Sequence, residues 1–244
     1  MSILFISDLH LQPDEPQTIH QAVNLLQQYS AQLSALYILG DLFNTWLGDD
    51  ITPEAYRPLT QQLSRMAQQD IACYLMVGNR DFMLGKAFAQ RCHLTLLTDP
   101  TTITLGTTSV LLMHGDSLCS DDIAYQRYRK WSRSRCLQWL FLRLSKKRRQ
   151  AISDLIKHKS RQQKKIKSAQ IMDVNHDTVS QVMNQQQTDF LIHGHTHRPA
   201  IHQLSPNKCR FVLGDWCDEP SYALYHEGTI SLYDPRCHDS IVIH

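Results

Sequence analysis

The chain has 244 residues, 42% of them apolar, and a formal net charge of +2, enough length and apolar content to bury one sizeable core. No stretch reaches the roughly 18 apolar residues of a membrane span, the apolar opening lacks a positive leader, and the seven cysteines are odd in number with no CxxC pair. A transmembrane protein, a disulfide-stapled secreted domain and a zinc knuckle are set aside, and a cytoplasmic protein is expected.

In chain order, five short apolar runs each end in a polar cluster. Ile3-Leu4-Phe5-Ile6 reads as a buried strand and leads to Asp8-x-His10. Leu36 to Leu39 leads to Gly40-Asp41, and Cys73 to Val77 leads to Gly78-Asn79-Arg80-Asp81. Val110 to Met113 leads to His114-Gly115-Asp116, and Phe190 to His193 leads to Gly194-His195-Thr196-His197. Taken alone, Asp-x-His or His-Gly-Asp is ordinary turn chemistry. Gly-His-x-His is more telling, because two imidazoles just behind a strand are rarely packing alone. Jointly the clusters supply Asp, His, Asp, Asn, His, His and His, a donor set that suits two divalent ions sharing one carboxylate. Open α/β sheets bind ligands beyond the carboxyl ends of their strands, where all five clusters would lie. The glycines are expected to let the backbone turn tightly.

Between the fourth and fifth clusters the composition changes. From Arg127 to Lys167 there are 16 Lys and Arg against one acid, Asp154, whereas the remainder carries 9 basic and 22 acidic residues. Gly and Pro are absent from Asp116 to His193, which predicts helices rather than a flexible linker. Leu137, Leu140, Phe141 and Leu144 make one helical stripe, Ile152, Leu155 and Ile156 a shorter one, with Lys146-Lys147-Arg148-Arg149 between them. Three readings stay open for this region: a helical hairpin packed on itself, an interfacial element with cations at lipid headgroups, or a basic helix on nucleic acid. The tail, with Tyr222, Tyr225, Tyr233 and Ile241-Val242-Ile243, reads as closing strands with no separate role.

The five-cluster set resembles the calcineurin-like metallophosphoesterase superfamily over nearly the whole chain apart from the basic insertion. The resemblance implies an α/β fold of two mixed β-sheets packed as a sandwich and flanked by helices. It implies a single domain over 1–244 with a helical, basic cap at about 122–170. One divalent ion would be held by Asp8, His10, Asp41 and His197, the other by Asp41, Asn79, His114 and His195, with Asp41 bridging. A hydroxide between them would attack phosphorus in line.

One departure narrows the substrate. Many members have Gly-Asn-His at the third cluster, with the histidine assigned to the leaving group or the transition state; here the position is Arg80. Arginine clamps phosphate oxygens but cannot lend a proton near neutral pH. That suits a leaving group that is itself a phosphate, as in a pyrophosphate. A plainer reading pairs Arg80 with Asp81 at the surface.

Grease and positive charge in the insertion, joined to this site, point to a lipid-linked pyrophosphate. Within the superfamily the pattern resembles the hydrolases that act on UDP-2,3-diacylglucosamine in lipid A biosynthesis. The residues that carry the likeness are Ser7-Asp8-Leu9-His10, Gly40-Asp41-Leu42-Phe43 with Trp46, Gly78 to Phe82, His114-Gly115-Asp116 with Asp121-Asp122 and Tyr125, and Gly194 to Pro199. It implies manganese-dependent attack on the α-phosphorus, giving UMP and 2,3-diacylglucosamine 1-phosphate. Asp41, Asn79, Arg80 and His195 would be catalytic. Substrate contacts would fall on Asn79, Arg80, Asp122, Ser160, Lys164, Lys167 and His195, and acyl chains on Phe82, Leu137, Phe141, Leu142, Ile152 and Ile156. A peripheral monomer at the anionic cytoplasmic face of a bacterial inner membrane is expected, with no nucleic-acid partner. The alternative is a nuclease or nucleotide phosphodiesterase of the same superfamily.

Overall fold

A computed structural model describes residues 2–164, 173–217 and 219–243. Strand β1 (Ser2–Ile6) is followed by helix α1 (Pro16–Ser30), whose first turn opens on a proline, the residue that fits there because no intrahelical partner is lost. Then come β2 (Leu33–Leu39), α2 (Arg57–Gln68), β3 (Ala72–Met76), α3 (Lys86–Arg91) and β4 (Thr95–Leu97). An antiparallel pair, β5 (Thr101–Leu105) and β6 (Thr108–Met113), leads to four helices, α4 (Ile123–Ser132), α5 (Arg135–Leu142), α6 (Lys146–Lys164) and α7 (His176–Gln185). The chain closes with β7 (Phe190–His193), β8 (Ala200–Ser205), β9 (Lys208–Val212), β10 (Tyr222–His226), β11 (Thr229–Asp234) and β12 (Cys237–Val242).

Two mixed sheets result. The larger has the order β12-β11-β10-β1-β2-β3-β4, with β1 to β4 mutually parallel; the smaller runs β5-β6-β7-β9-β8, with β6, β7 and β9 parallel. Successive side chains of a strand point to opposite faces, so β1 sends Leu4 and Ile6 against α1 and α2, and Phe5 into the space between the sheets. Val110, Leu112, Ile192 and Phe211 meet Phe5 from the smaller sheet. Leu111, Met113 and Leu191 face the other way, onto Val179 and Met183 of α7. Strands covered on both faces must be apolar throughout, which explains the unbroken runs of the sequence. The sandwich flanked by helices is the expected architecture.

The glycine-free stretch carries helices α4 to α7 ahead of β7, as expected, but its apolar stripe is divided. Helix α5 stops at Leu142, and Leu144 lies in the turn before α6. No residue of α5 is buried; Trp139, Leu140 and Leu142 are exposed, and of the stripe Phe141 packs against the core of the larger sheet. Arg149 departs from the basic run around it: only 4% exposed, it makes two short hydrogen bonds to the Asp50 carboxylate and one to the Leu47 carbonyl. The exposed cations of that run are Lys146, Lys147 and Arg148.

Candidate metal centre

All five polar clusters emerge at the carboxyl ends of parallel strands, and the backbone zips them together there. Asp8 N–H donates to the Gly40 carbonyl at 3.1 Å, His10 N–H to the Asp41 carbonyl at 2.9 Å, and Gly194 N–H to the His114 carbonyl at 3.0 Å. Asp8, His10, Asp41, His195 and His197 all have positive φ, between 48° and 70°. Non-glycine residues seldom adopt that conformation, and where several do together a function usually holds them there. Two of the glycines serve a purpose other than turning. A Cβ on Gly78 would collide with the Asp41 carboxylate, and one on Gly194 with the Asp8 carboxylate and the Ser7 hydroxyl. They leave room for ligands.

Side chains from both sheets then converge. Asp8 Oδ2 accepts from the Ser7 hydroxyl at 2.6 Å and from His195 N–H at 2.8 Å, while its Oδ1, fully buried, has no hydrogen-bond partner. Around that oxygen stand His197 Nε2 at 3.4 Å and His10 Nε2 at 3.8 Å, and the two imidazole nitrogens are 3.1 Å apart. On the other side Asn79 Oδ1 lies 3.0 Å from His114 Nε2 and 2.8 Å from His195 Nδ1. Asp41 faces both: Oδ1 is 3.8 Å from His114 Nε2, and Oδ2 is 3.8 Å from His10 Nδ1. Asp8, His10 and His197 can bring ligand atoms within 4.8 Å of one another, and so can Asp8, Asp41 and His114.

These residues fit divalent cations. A buried carboxylate oxygen without a partner is costly, as is a pair of converging imidazole nitrogens, and a cation removes both penalties. Without one, protons must serve. Burial alone would push His197 down, but the hydrogen bonds its ring donates to Asp215 and Asp8 outweigh it and hold the ring up at about 9. His114 is likewise held at about 9, burial being outweighed by Asp41, Asp8 and Asp116. Burial lowers His10 to about 4 and His195 to about 3, and raises Asp41 to about 6. His114 is aimed by its Nδ1 against the Leu39 carbonyl, 2.9 Å away, which leaves Nε2 for a ligand role.

Arg80 is half-buried at the rim, and its backbone N–H donates to Asp41 Oδ1 at 2.7 Å. Pairing with Asp81 does not occur: Asp81 is buried and accepts from the backbone N–H groups of Gly78 and Phe43 instead. Among the other expected contacts, Asp122 caps α4 by accepting from Tyr125 N–H, and Ser160 is half-buried toward the end of α6. Lys164 ends α6 with its side chain outside the described residues, and Lys167 lies outside them altogether.

The sequence reading named Asp116 and Tyr125 but not the group they form, which ties α4 to this centre. Asp116, buried, accepts from the Tyr125 hydroxyl at 2.6 Å, Arg129 Nε at 2.9 Å and Arg133 Nη2 at 3.4 Å. Arg133 also donates to the Gly78 carbonyl at 3.0 Å, next to Asn79, and the Tyr125 ring stacks on His195 with centroids 6.0 Å apart. Asp215 was passed over as well, though Leu213-Gly214-Asp215 after β9 repeats the form of Leu39-Gly40-Asp41 after β2.

The calcineurin-like phosphoesterase family profile matches residues 1–199. The chain is 47% identical over 212 residues to the UDP-2,3-diacylglucosamine hydrolase of Histophilus somni (strain 2336), covering 87% of this chain and 91% of that one. It is 48% identical over 217 residues to the enzyme of the same name from Pasteurella multocida (strain Pm70), covering 89% and 91%. The fold is similar to that of a dimetal phosphatase from Danio rerio, with a TM-score of 0.58 at 13% identity over 100% of this chain and 99% of that one. The chain belongs to the calcineurin-like phosphoesterase family, in company with the UDP-2,3-diacylglucosamine hydrolases.

Proposed function

We propose that this protein hydrolyses the pyrophosphate bond of UDP-2,3-diacylglucosamine, giving UMP and 2,3-diacylglucosamine 1-phosphate. The observation that carries the reading is the convergence of seven ligand side chains, in a chain nearly half identical to hydrolases of that name. Asp8, His10, Asp41 and His197 would hold one divalent ion, and Asp41, Asn79, His114 and His195 the other, with Mn²⁺ the proposed metal. When bound, the pair supplies Lewis acidity, neutralising phosphate charge and acidifying an attacking water.

The chain's own residues do the rest. Water adds to the α-phosphorus and the bond to the bridging oxygen breaks, so that oxygen leaves on the lipid phosphate. A phosphate leaves as a stable anion without a proton, which is why Arg80 can stand where a proton donor would otherwise be needed. Its guanidinium clamps phosphate oxygens while its backbone N–H holds Asp41. Asn79 and His195, in contact through Asn79 Oδ1, position the α-phosphate. We assign helices α4 to α6, the described part of the cap expected at about 122–170, to cover the acyl chains, lined by Phe82, Leu137, Phe141, Leu142, Ile152 and Ile156.

No described helix is long and apolar enough to cross a membrane. Ile123, Trp131, Trp139, Leu140, Leu142 and Leu155, all in the inserted helices, are nonetheless exposed, and Lys146, Lys147 and Arg148 stand beside them. That combination supports peripheral attachment to the anionic cytoplasmic face of the inner membrane. The test is a metal-reconstituted assay on the UDP-linked lipid, with phosphorus NMR locating the cleaved bond. UMP with ¹⁸O from labelled water supports α-phosphorus attack; label in the lipid phosphate refutes it. Cleavage of single-stranded DNA in place of the lipid would favour the nuclease reading.

A further inference from the structure

His197 has both ring nitrogens committed. Nε2 faces Asp8 and His10, and Nδ1 lies 3.2 Å from Asp215 Oδ2. A carboxylate at Nδ1 keeps the proton on that nitrogen, so the lone pair of Nε2 points at the site of a cation, and it stops the ring from turning. Asp215 is itself gripped. Arg236, in the turn between β11 and β12, donates through Nη1 to Asp215 Oδ1 at 2.9 Å and through Nη2 to the Asp215 carbonyl at 3.3 Å. The Cys217 thiol donates to Oδ2 at 2.9 Å.

The arginine is braced in turn. Its Nε and Nη2 make a two-point contact with the Asp234 carboxylate, 2.7 Å on each arm, and its own backbone N–H donates to Asp234 Oδ1 at 2.8 Å. Gly214 leaves the space: a Cβ there would collide with Arg236 Nη2 and the Asp234 carboxylate.

We propose that Asp215, clamped by Arg236, is a positioning residue that orients His197, so that the C-terminal hairpin completes one of the two cation sites. Both residues lie beyond the segment that the family profile covers. The inference rests on the binuclear reading above and refines it by making the two cation sites unequal. His114 is aimed by a backbone carbonyl of the sandwich, His197 by Asp215 after β9, which Arg236 and Asp234 of the β11–β12 hairpin hold in turn.

Mn²⁺ titrations of the full chain, followed by calorimetry, test it without turnover. Wild-type protein should bind two ions. Asp215→Asn should weaken one site by roughly ten- to a hundredfold and spare the other, because an amide can offer its N–H to Nδ1 and favour the wrong tautomer. Arg236→Gln should weaken the same site by a smaller factor. In a His197→Ala background, Asp215→Asn should cause no further loss, since it acts through a ring no longer present. Unchanged affinities in Asp215→Asn, equal losses at both sites, or a further loss in the His197→Ala background would overturn the role of Asp215. A wild type that binds fewer than two ions would instead overturn the binuclear centre itself.

Discussion

The sandwich and the inserted helices solve opposite problems. At the carboxyl ends of β1, β2 and β7, five residues are held at positive φ and a carboxylate oxygen is buried without a partner; the surrounding sheets must be stable enough to impose this. In α4 to α6 the backbone is relaxed helix, and the unusual feature is apolar surface left in solvent. The first region stores its tension inside and is relieved by small cations. The second carries its tension outside, where the acyl chains or membrane of the proposed function would relieve it.

The largest effect should come from the centre of the strained region. Asp41 presents one oxygen to each half of the site, so Asp41→Ala should lower kcat on the order of a thousandfold or more, about 4 kcal/mol of barrier, with two ions no longer bound per chain. Near-normal turnover would refute the bridging role and with it the contrast drawn above.

The two regions meet at Asp116, which holds Arg129 and Arg133 of α4 and its flanking turn. Asp116→Asn would leave two partly buried guanidiniums short of their counter-charge and should cost about 3 kcal/mol in denaturant unfolding. Acid should act in the same direction. Burial would raise this carboxyl, but His114, Arg133 and Arg129 outweigh it and hold it well below its usual range. The unfolded chain therefore binds the proton more tightly, so the stabilisation is complete above the ordinary carboxylate value of about 4 and fades as pH falls below it. A melting temperature in Asp116→Asn that matches wild type at pH 7 would show that α4 is docked by other contacts.

How much of this was legible depended on whether a signal is local. Strand and polar ligand follow within a few residues at Asp8, Asp41, Asn79, His114 and His195, with a glycine adjoining all but Asp8, and strands buried on both faces write continuous apolar runs. The same form at Gly214-Asp215 was visible, but its carboxylate meets a histidine ring, and only the fold shows that. The contact of Arg236 with Asp215 spans 21 positions and leaves no local trace. Positive φ at Asp8 or His197 is imposed by the tertiary structure and is not coded by residue type. In the run Lys146 to Arg149, four adjacent cations look alike in sequence; helical geometry turns one inward to Asp50 and three outward.

That division sharpens the comparison on the side of the exposed helices. Replacing Lys146, Lys147 and Arg148 with Gln should weaken partition onto phosphatidylglycerol-rich vesicles by about 1 kcal/mol for each cation that reaches the headgroups, and the loss should shrink as salt rises. Partition that ignores both the substitutions and the salt would leave apolar contact alone to hold the helices at a surface.

The smallest effect has an informative sign. Lys146, Lys147 and Arg148 occupy the first turn of α6, which carries no acidic residue, and cations there oppose the partial positive charge of the helix N-terminus, each by about 0.3–1 kcal/mol when unscreened. Removing them should leave folding stability unchanged or raise it slightly. Arg149, one residue on, is spent on Asp50 and the Leu47 carbonyl; because Asp50 is half exposed the pair is screened, and Arg149→Gln should cost about 1 kcal/mol. Neighbouring cations on one helix would then move stability in opposite directions while only the outward three change vesicle binding. Equal destabilisation by both sets would mean that the whole run is structural, and the exposed charge would lose its claim to a membrane role.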